Sequence, residues 1–295
     1  MKKLWVVGLY LSILLFPAEI FSQEKWLDVP YVPTKPEVVE EMLRMAQVGQ
    51  NDVLYDLGCG DGRIVITAAR LYGTRGVGVD IDPDRIRESR ENAAQAGVSD
   101  LVKFLEQDLF GTDFHEATVV SLYLLTSVNL RLRPRLFAQL RPGTRVVSHN
   151  YAMDTWKPDQ SSIVMVDEMT HNVYLWIVPA NVSGTWVWTW PDVSPKKPCR
   201  LEMEQLFQFP QGKAVIDGEE LPLRDVYLEG ENIRFTVDRE KDGKTVIMTF
   251  EGRARGHTIE GNVDIRGGGK PNKRPWKATR QPATMKPLDA EVDIK

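Results

Sequence analysis

The sequence predicts an α/β fold in its first half, an open Rossmann-like sheet with helices on its faces, followed by a C-terminal all-β domain shaped as a small barrel or curled sheet. Three observations carry that expectation. Up to Pro179, apolar runs of strand length alternate with segments of helical spacing. A glycine-rich stretch, Asp56-Leu57-Gly58-Cys59-Gly60-Asp61-Gly62, falls where the first of those strands gives way to a helix. From Asn181 onward the pattern changes to short alternating runs punctuated by Asp-Gly and Glu-Gly turns. A chain of 295 residues that is 42% hydrophobic and 26% charged has material for two cores. Its formal net charge of -4 supplies no overall basic field, so nucleic acid is not an expected partner.

Residues 1–22 read as a signal peptide or N-terminal anchor: Lys2 and Lys3 precede an apolar run over 4–16, then Pro17 and small or polar residues up to Ser22. The run is shorter than the roughly 20 apolar residues of a spanning helix, although Ala18, Ile20 and Phe21 extend it toward an anchor. Lysines before the run and none directly after it predict export of the remainder as a periplasmic, secreted or membrane-anchored protein, with membrane contact through this segment only. Residues 23–179 then form the first domain. Helical spacing is expected over 38–46, 63–71, 83–96 and 133–140, the third opened by Pro83 and the last ended by Pro142-Gly143. Strands are expected over 52–57, 76–81, 101–106, 117–124, 145–148 and 162–166. This alternation implies βαβ units, and so a parallel sheet covered on both faces.

The glycine-rich stretch lies at the carboxyl edge of that sheet, where open α/β folds bind ligands. Glycines there let a ligand approach the backbone, and a helix N-terminus offers N–H groups. A dinucleotide motif needs a third glycine three residues after the second, and Arg63 occupies that position. Asp56 and Asp61 would also repel a pyrophosphate, whereas they attract the sulfonium and ammonium of S-adenosylmethionine. Asp80, ending the second strand about two dozen residues on, stands where a carboxylate takes both ribose hydroxyls. Asp108, after the third strand, is placed to accept from the adenine amino group, with Ile81 and Leu109 as apolar neighbours for the ring.

Further words extend the pattern: Pro30-Tyr31-Val32-Pro33-Thr34, Val79-Asp80-Ile81-Asp82-Pro83, Leu122-Tyr123-Leu124-Leu125, Asn129-Leu130-Arg131-Leu132-Arg133-Pro134, and Pro142-Gly143-Thr144-Arg145-Val146-Val147-Ser148-His149. With the glycine-rich loop they resemble the class I S-adenosylmethionine-dependent methyltransferases. Within these they resemble the family of mitochondrial lysine methyltransferases acting on the ATP synthase c subunit and the adenine nucleotide translocase. The resemblance covers nearly half of the chain. It implies S-adenosylmethionine as cofactor, held by Tyr31, Asp56, Gly58, Cys59, Gly60, Gly62, Asp80, Ile81, Asp108 and Leu109, and a lysine of a protein as methyl acceptor. The exported N-terminus and everything after Pro179 depart from the family, and the export of an enzyme with a cytoplasmic cofactor is a tension in the sequence itself.

Methyl transfer to an amine asks the protein to position the acceptor, strip water from it and let it shed a proton, because a lysine of pKa about 10.4 is charged at neutral pH. Tyr31, Tyr123, Asn129, His149, Asn150 and Tyr151 are candidates to supply rings and acceptors, with Tyr123 and Asn129, just after the fourth strand, as the catalytic pair. The structural alternative has Tyr123 packing under a helix and Asn129 capping one. No His, Cys, Asp or Glu cluster has metal-ligand spacing, so no metal is expected; His115 and His171 read as ordinary loop or core residues. Cys59 and Cys199 are too far separated in the pattern to suggest a disulfide framework.

In the second domain, residues 181–281, Trp186, Trp188 and Trp190 form an aromatic stripe expected in core and rim, strands are expected over 200–209, 232–238 and 245–250, and turns at Asp217-Gly218, Glu229-Gly230 and Asp242-Gly243. The domain faintly resembles calycin-like β modules. Residues 282–295 are expected to be a disordered tail. Two other functions stay open: a small-molecule N- or O-methyltransferase, and an exported binding protein whose methyltransferase domain is degenerate. The acids Asp56, Asp80 and Asp108 favour an enzyme.

Overall fold

The computed structural model describes residues 31–190, 198–241, 243–267 and 272–289. The segment expected to direct export, Asp242 of one expected turn and residues 290–295 of the tail lie outside the described residues.

The first sheet has seven strands: β1 (Val53–Leu57), β2 (Arg75–Asp80), β3 (Val102–Glu106), β4 (Val119–Leu122), β5 (Arg145–His149), β6 (Gln160–Val166) and β7 (Met169–Ile177), in the order β3-β2-β1-β4-β5-β7-β6. β1 to β5 run parallel, as the βαβ pattern requires. Four helices accompany them: α1 (Pro36–Met45), α2 (Arg63–Tyr72), α3 (Pro83–Gln95) and α4 (Thr126–Gln139). Every residue of β1 is buried, which is why it reads as a near-continuous apolar run rather than an alternating one. α3 starts where expected because Pro83 presets its first turn and the Asp82 side chain accepts from the Asp84 N–H. Strand order reverses direction between β1 and β4, and the crevice outside their carboxyl ends is the site that an open α/β sheet offers to a ligand.

Two expectations are corrected. The sheet is mixed, because β7 runs antiparallel to both β5 and β6. Its hairpin turns at Asp167 and Glu168, both at positive φ, a geometry in which Asn-Gly or Asp-Gly would have announced the turn. α4 begins at Thr126, seven residues before the expected start. Pro134 sits inside the helix and leaves the Leu130 carbonyl without its usual partner.

The second sheet is wholly antiparallel: β8 (Gly184–Trp188), β9 (Cys199–Leu206), β10 (Phe209–Ile216), β11 (Glu219–Pro222), β12 (Arg224–Glu229), β13 (Asn232–Lys241), β14 (Lys244–Arg255), β15 (Thr258–Arg266) and β16 (Asn272–Arg280), ordered β11-β10-β9-β8-β16-β15-β14-β13-β12. Leu223 alone joins the two edge strands β11 and β12, so the sheet curls until its edges meet. Trp186, Trp188 and Trp190 belong to the core of this curl, with Phe235 and Phe250 stacked at 4.8 Å and Trp276 edge-on to Phe250 at 5.0 Å. Buried Arg280 lies 4.5 Å over the Trp186 ring and donates to Asn181, Ser183 and Gly256, fastening one end of the sheet to the chain that enters it.

Residues 31–295 form one compact unit. Phe207, between β9 and β10, is buried against Trp156 and Phe137 of the first half, with ring centroids at 6.1 and 5.9 Å. Gln208 Nε2 donates to the Lys157 carbonyl at 2.7 Å, and the Ala180 N–H to the Gly230 carbonyl at 2.7 Å. The tail departs from the expected disorder as far as Asp289. A 3-10 turn spans Pro282–Thr284, the Lys286 N–H donates to Ser183 Oγ, and the Leu288 carbonyl accepts from Phe207 N–H.

Candidate cofactor and acceptor site

The loop from Asp56 to Gly62 folds back on the end of β2. Gly58 and Cys59 both donate their N–H to the Val79 carbonyl, Gly60 donates to Asp80 Oδ2 at 2.8 Å, and Gly62 donates to the Cys59 carbonyl. The loop's own chain thus takes the donors that a pyrophosphate would require, and the expectation of free N–H groups at this turn is corrected for these four. Gly60 and Gly62 have φ of +52° and +80°; a Cβ on Gly60 would collide with the Tyr31 ring, and one on Gly62 would come within 2.6 Å of Phe104. Glycine is required at both places.

The acids divide into different roles. Asp56 ends inside the sheet at 2% exposure, and burial, opposed by a 2.8 Å hydrogen bond from Ser121 Oγ and reinforced by Asp80 and Asp61, pushes its carboxyl up to about 7. Asp61 is taken by Arg63, whose guanidinium grips both carboxylate oxygens and, with their hydrogen bond, outweighs burial to hold the carboxyl below its ordinary range. The attraction expected between Asp61 and a cationic cofactor is therefore largely spent within the chain. Asp80 Oδ1 accepts from the Asp82 N–H at 3.0 Å, fixing a half-buried carboxylate at the mouth of the crevice. Ile81 and Leu109 flank the same edge, partly buried. Asp108 is exposed and uses Oδ1 to accept from the Phe110 N–H.

The Cys59 side chain turns away from the crevice: a Cβ on Gly78 of β2 would lie 2.8 Å from Cys59 Sγ, and burial raises the thiol far above its ordinary value. Only its backbone belongs to the loop. Tyr31 covers Gly60 from outside at 42% exposure, with the Arg85 guanidinium 4.7 Å over its ring. Bound here, a sulfonium and an ammonium would meet buried Asp56, and a ribose would meet Asp80. This donor and acceptor set suits S-adenosylmethionine and does not suit a dinucleotide.

On the adjacent carboxyl ends of β4 and β5 the structure brings together Tyr123, Asn129, Ser148, His149, Asn150 and Tyr151. The Tyr151 carbonyl accepts from Ser148 Oγ at 2.7 Å and from Asn129 Nδ2 at 3.1 Å. Asn129 lies in the first turn of α4 at 0% exposure, and its Oδ1 is buried without a partner among the described residues. A buried acceptor left unpaired costs about 1–3 kcal/mol, a cost that a donor reaching this oxygen would relieve. Tyr123 packs against His149 with centroids 3.8 Å apart and the rings tilted by 33°, with Tyr151 at 6.1 Å, and burial raises its phenol above the ordinary value. Capping is not the role of Asn129, since its side chain reaches Tyr151 rather than an N-terminal N–H.

Sequence reasoning passed over three residues here. Ser121, two positions before Tyr123, holds Asp56. Thr34 places its Oγ1 3.2 Å from His149 Nδ1, and His171, read as an ordinary residue, places Nδ1 2.9 Å from His149 Nε2. All three lie far in sequence from the residues they touch, so no local pattern marks them. His115 does behave as an ordinary surface residue, exposed and paired with Asp113. Among the described residues no group of His, Cys, Asp and Glu is placed to hold a metal ion.

A family model described as the ANTKMT methyltransferase domain matches residues 56–160. A protein-lysine N-methyltransferase of Saccharolobus islandicus is 47% identical over 151 residues, covering 51% of this chain and 94% of the relative. An adenine nucleotide translocase lysine N-methyltransferase of Mus musculus is 34% identical over 152 residues, covering 52% of this chain but only 64% of the relative. A crystal structure titled as an RNA methyltransferase from Salinibacter ruber with S-adenosyl-L-homocysteine is 57% identical, covering 50% of this chain and 93% of that one, with a TM-score of 0.47.

Proposed function

From a chain that belongs to the family of the Saccharolobus protein-lysine N-methyltransferase, within the S-adenosylmethionine-dependent methyltransferases, we propose that its first half methylates the side-chain amine of lysine in a protein. The observation that carries the acceptor is the buried Asn129 Oδ1, without a partner among the described residues, on a side chain bonded to the Tyr151 carbonyl and one strand from the carboxylates of the glycine-rich loop. Tyr31, Gly58, Gly60, Gly62, Asp80, Ile81, Asp108, Leu109, Asp56 and the Cys59 backbone hold the cofactor in this reading. The cofactor supplies a methyl carbon activated by its sulfonium. The chain's residues supply the rest: the tyrosine rings exclude water from the amine, lowering its affinity for a proton, and Asn129 Oδ1 accepts one of its N–H bonds and aims its lone pair. The second sheet, with no counterpart in the matched part of the relatives, belongs in this reading to acceptor choice or to stability. The lysine-then-apolar pattern of residues 1–22 supports an exported location, which fractionation of the producing cells tests.

The functional test is incubation of the full chain with methyl-labelled S-adenosylmethionine and an extract of its own cells, followed by fractionation. Label recovered as methyl-lysine in protein is the expected result. Label confined to small metabolites moves the enzyme to the small-molecule class, label in RNA overturns the protein reading, and failure of the cofactor to bind or stabilise the chain leaves the degenerate binding protein.

A further inference from the structure

Thr34 stands at a junction of the two halves of the site. Its carbonyl accepts from Arg63 Nη1 at 2.7 Å, and Arg63 grips Asp61 within the glycine-rich loop. Its hydroxyl lies 3.2 Å from His149 Nδ1, and His149 carries the Tyr123 ring on its face. His149 continues the chain of contacts to His171 Nδ1 at 2.9 Å, where it ends: His171 Nε2 is buried with no partner among the described residues. At 1% exposure, His149 is pushed down to about 4 by burial and by His171, so it joins the line as a neutral ring at neutral pH.

Neutral imidazoles in such a line have two self-consistent arrangements. Either the Thr34 hydroxyl donates to His149 Nδ1, His149 Nε2–H donates to His171 Nδ1, and the last proton rests on His171 Nε2. Or each bond is reversed, with His149 Nδ1–H donating to Thr34 Oγ1 and His171 Nε2 left bare. Reversing one bond forces the others to reverse, which makes the line a two-state element that the Thr34 hydroxyl can throw.

We propose that Thr34, His149 and His171 form a two-state hydrogen-bond relay that ties the glycine-rich loop to the acceptor face, so that cofactor binding resets the imidazole pair beneath Tyr123. This rests on the assignment of the loop to S-adenosylmethionine and of Tyr123 to the acceptor. The three are positioning residues in this proposal, acting through Arg63 on one side and the Tyr123 ring on the other. The coupling is reciprocal, so an acceptor that fixes Tyr123 also favours the bound state of the loop.

The test follows the imidazole nitrogens of the full, 15N-labelled chain by long-range proton–nitrogen spectra during titration with S-adenosylhomocysteine, with His149→Gln and His171→Gln used to assign signals among the four histidines. In the wild type, His149 is expected to show one protonated and one bare nitrogen, and the imidazole nitrogens of both His149 and His171 to shift as the ligand saturates. Thr34→Val is expected to abolish that shift at saturating ligand, and Thr34→Ser, which keeps the hydroxyl, to restore it. Shifts of the Gly58 and Gly60 amides report binding independently. If those amides respond while the imidazoles stay still, or if Thr34→Val leaves the imidazole response intact, the relay is overturned and the cofactor assignment stands; if neither responds, both fall.

Discussion

Asp56 gives cofactor binding a pH signature. Its carboxyl is fully enclosed and pushed up to about 7, first by burial and then by Asp80 and Asp61, so near neutrality a sizeable fraction carries a proton. A cofactor bearing a sulfonium and an ammonium needs the ionised form. Its apparent Kd then scales as 1 + 10^(pKa − pH), which is about elevenfold above the limit at pH 6 and about 1.1-fold above it at pH 8, a change of roughly tenfold. Calorimetry of S-adenosylmethionine binding across that range measures it directly. The ligand's own α-amino group titrates at about 7.7–8.0, so the quantity to follow is the ratio between wild type and Asp56→Asn, which shares that contribution. Ser121→Ala removes the hydrogen bond that favours the anion and is expected to move the midpoint to higher pH. Without cofactor the linkage has the opposite consequence for stability. The native state binds more protons than the unfolded chain between the ordinary value of 3.8 and about 7, so the contribution is present below 3.8 and is lost as pH rises through about 7, by up to ~4 kcal/mol. A wild-type to Asp56→Asn affinity ratio that stays flat from pH 6 to 8 would refute the reasoning.

Four further outcomes are expected. Asp80→Ala removes the acceptor of the Gly60 N–H as well as the ribose contact, and should weaken S-adenosylhomocysteine binding by about a hundredfold or more, by titration, while far-UV dichroism stays unchanged. Asn129→Ala should slow single-turnover methylation by roughly a hundredfold, on the scale of about 2–4 kcal/mol for an aligned polar group, with Tyr123→Phe also slowed and cofactor affinity held within about threefold in both. Phe207→Ala should destabilise the whole chain by about 3–5 kcal/mol in denaturant titration, because it empties the place against Trp156 and Phe137. A chain limited to residues 23–179 should still bind the cofactor but melt earlier than the full chain, since water replaces Phe207 over Trp156; failure to bind would place part of the site in the second sheet.

The parallel part of the first sheet was readable because its central strands β1, β4 and β5 are almost wholly buried and its helices carry local start and stop signals, Pro83 and Pro142-Gly143 among them. β7 escaped because Asp167 and Glu168 adopt a turn without the glycine that normally advertises it. The front of α4 escaped because Pro134, ordinarily a helix breaker, stands inside it. Within the site, the strand-end position of Asp80 and the positive-φ turn at the glycines were legible from spacing, since both leave a pattern along the chain. The individual state of each acid was not. Asp56 and Asp61 look alike in sequence, and only the fold shows that one is sealed beside Ser121 while the other is neutralised by Arg63. The same holds for His149: one ring in a line from Thr34 to His171 cannot be seen in a chain where those residues stand far apart.

The closure of the second sheet between β8 and β16 imposes an order of events during synthesis. Val187 pairs with Thr279, about ninety residues later, so β8 lacks one flank until nearly the whole second half has been made. The first sheet has every strand it needs once Ile177 has left the ribosome. The methyltransferase half can therefore assemble while Trp186 and Trp188 still wait for Trp276 and Arg280, and its Trp156 stays uncovered until Phe207 arrives. In a nascent chain that interval leaves an apolar surface of one half and an unfinished sheet edge of the other exposed together, which makes the final strand, rather than the catalytic residues, the step on which solubility of the product depends.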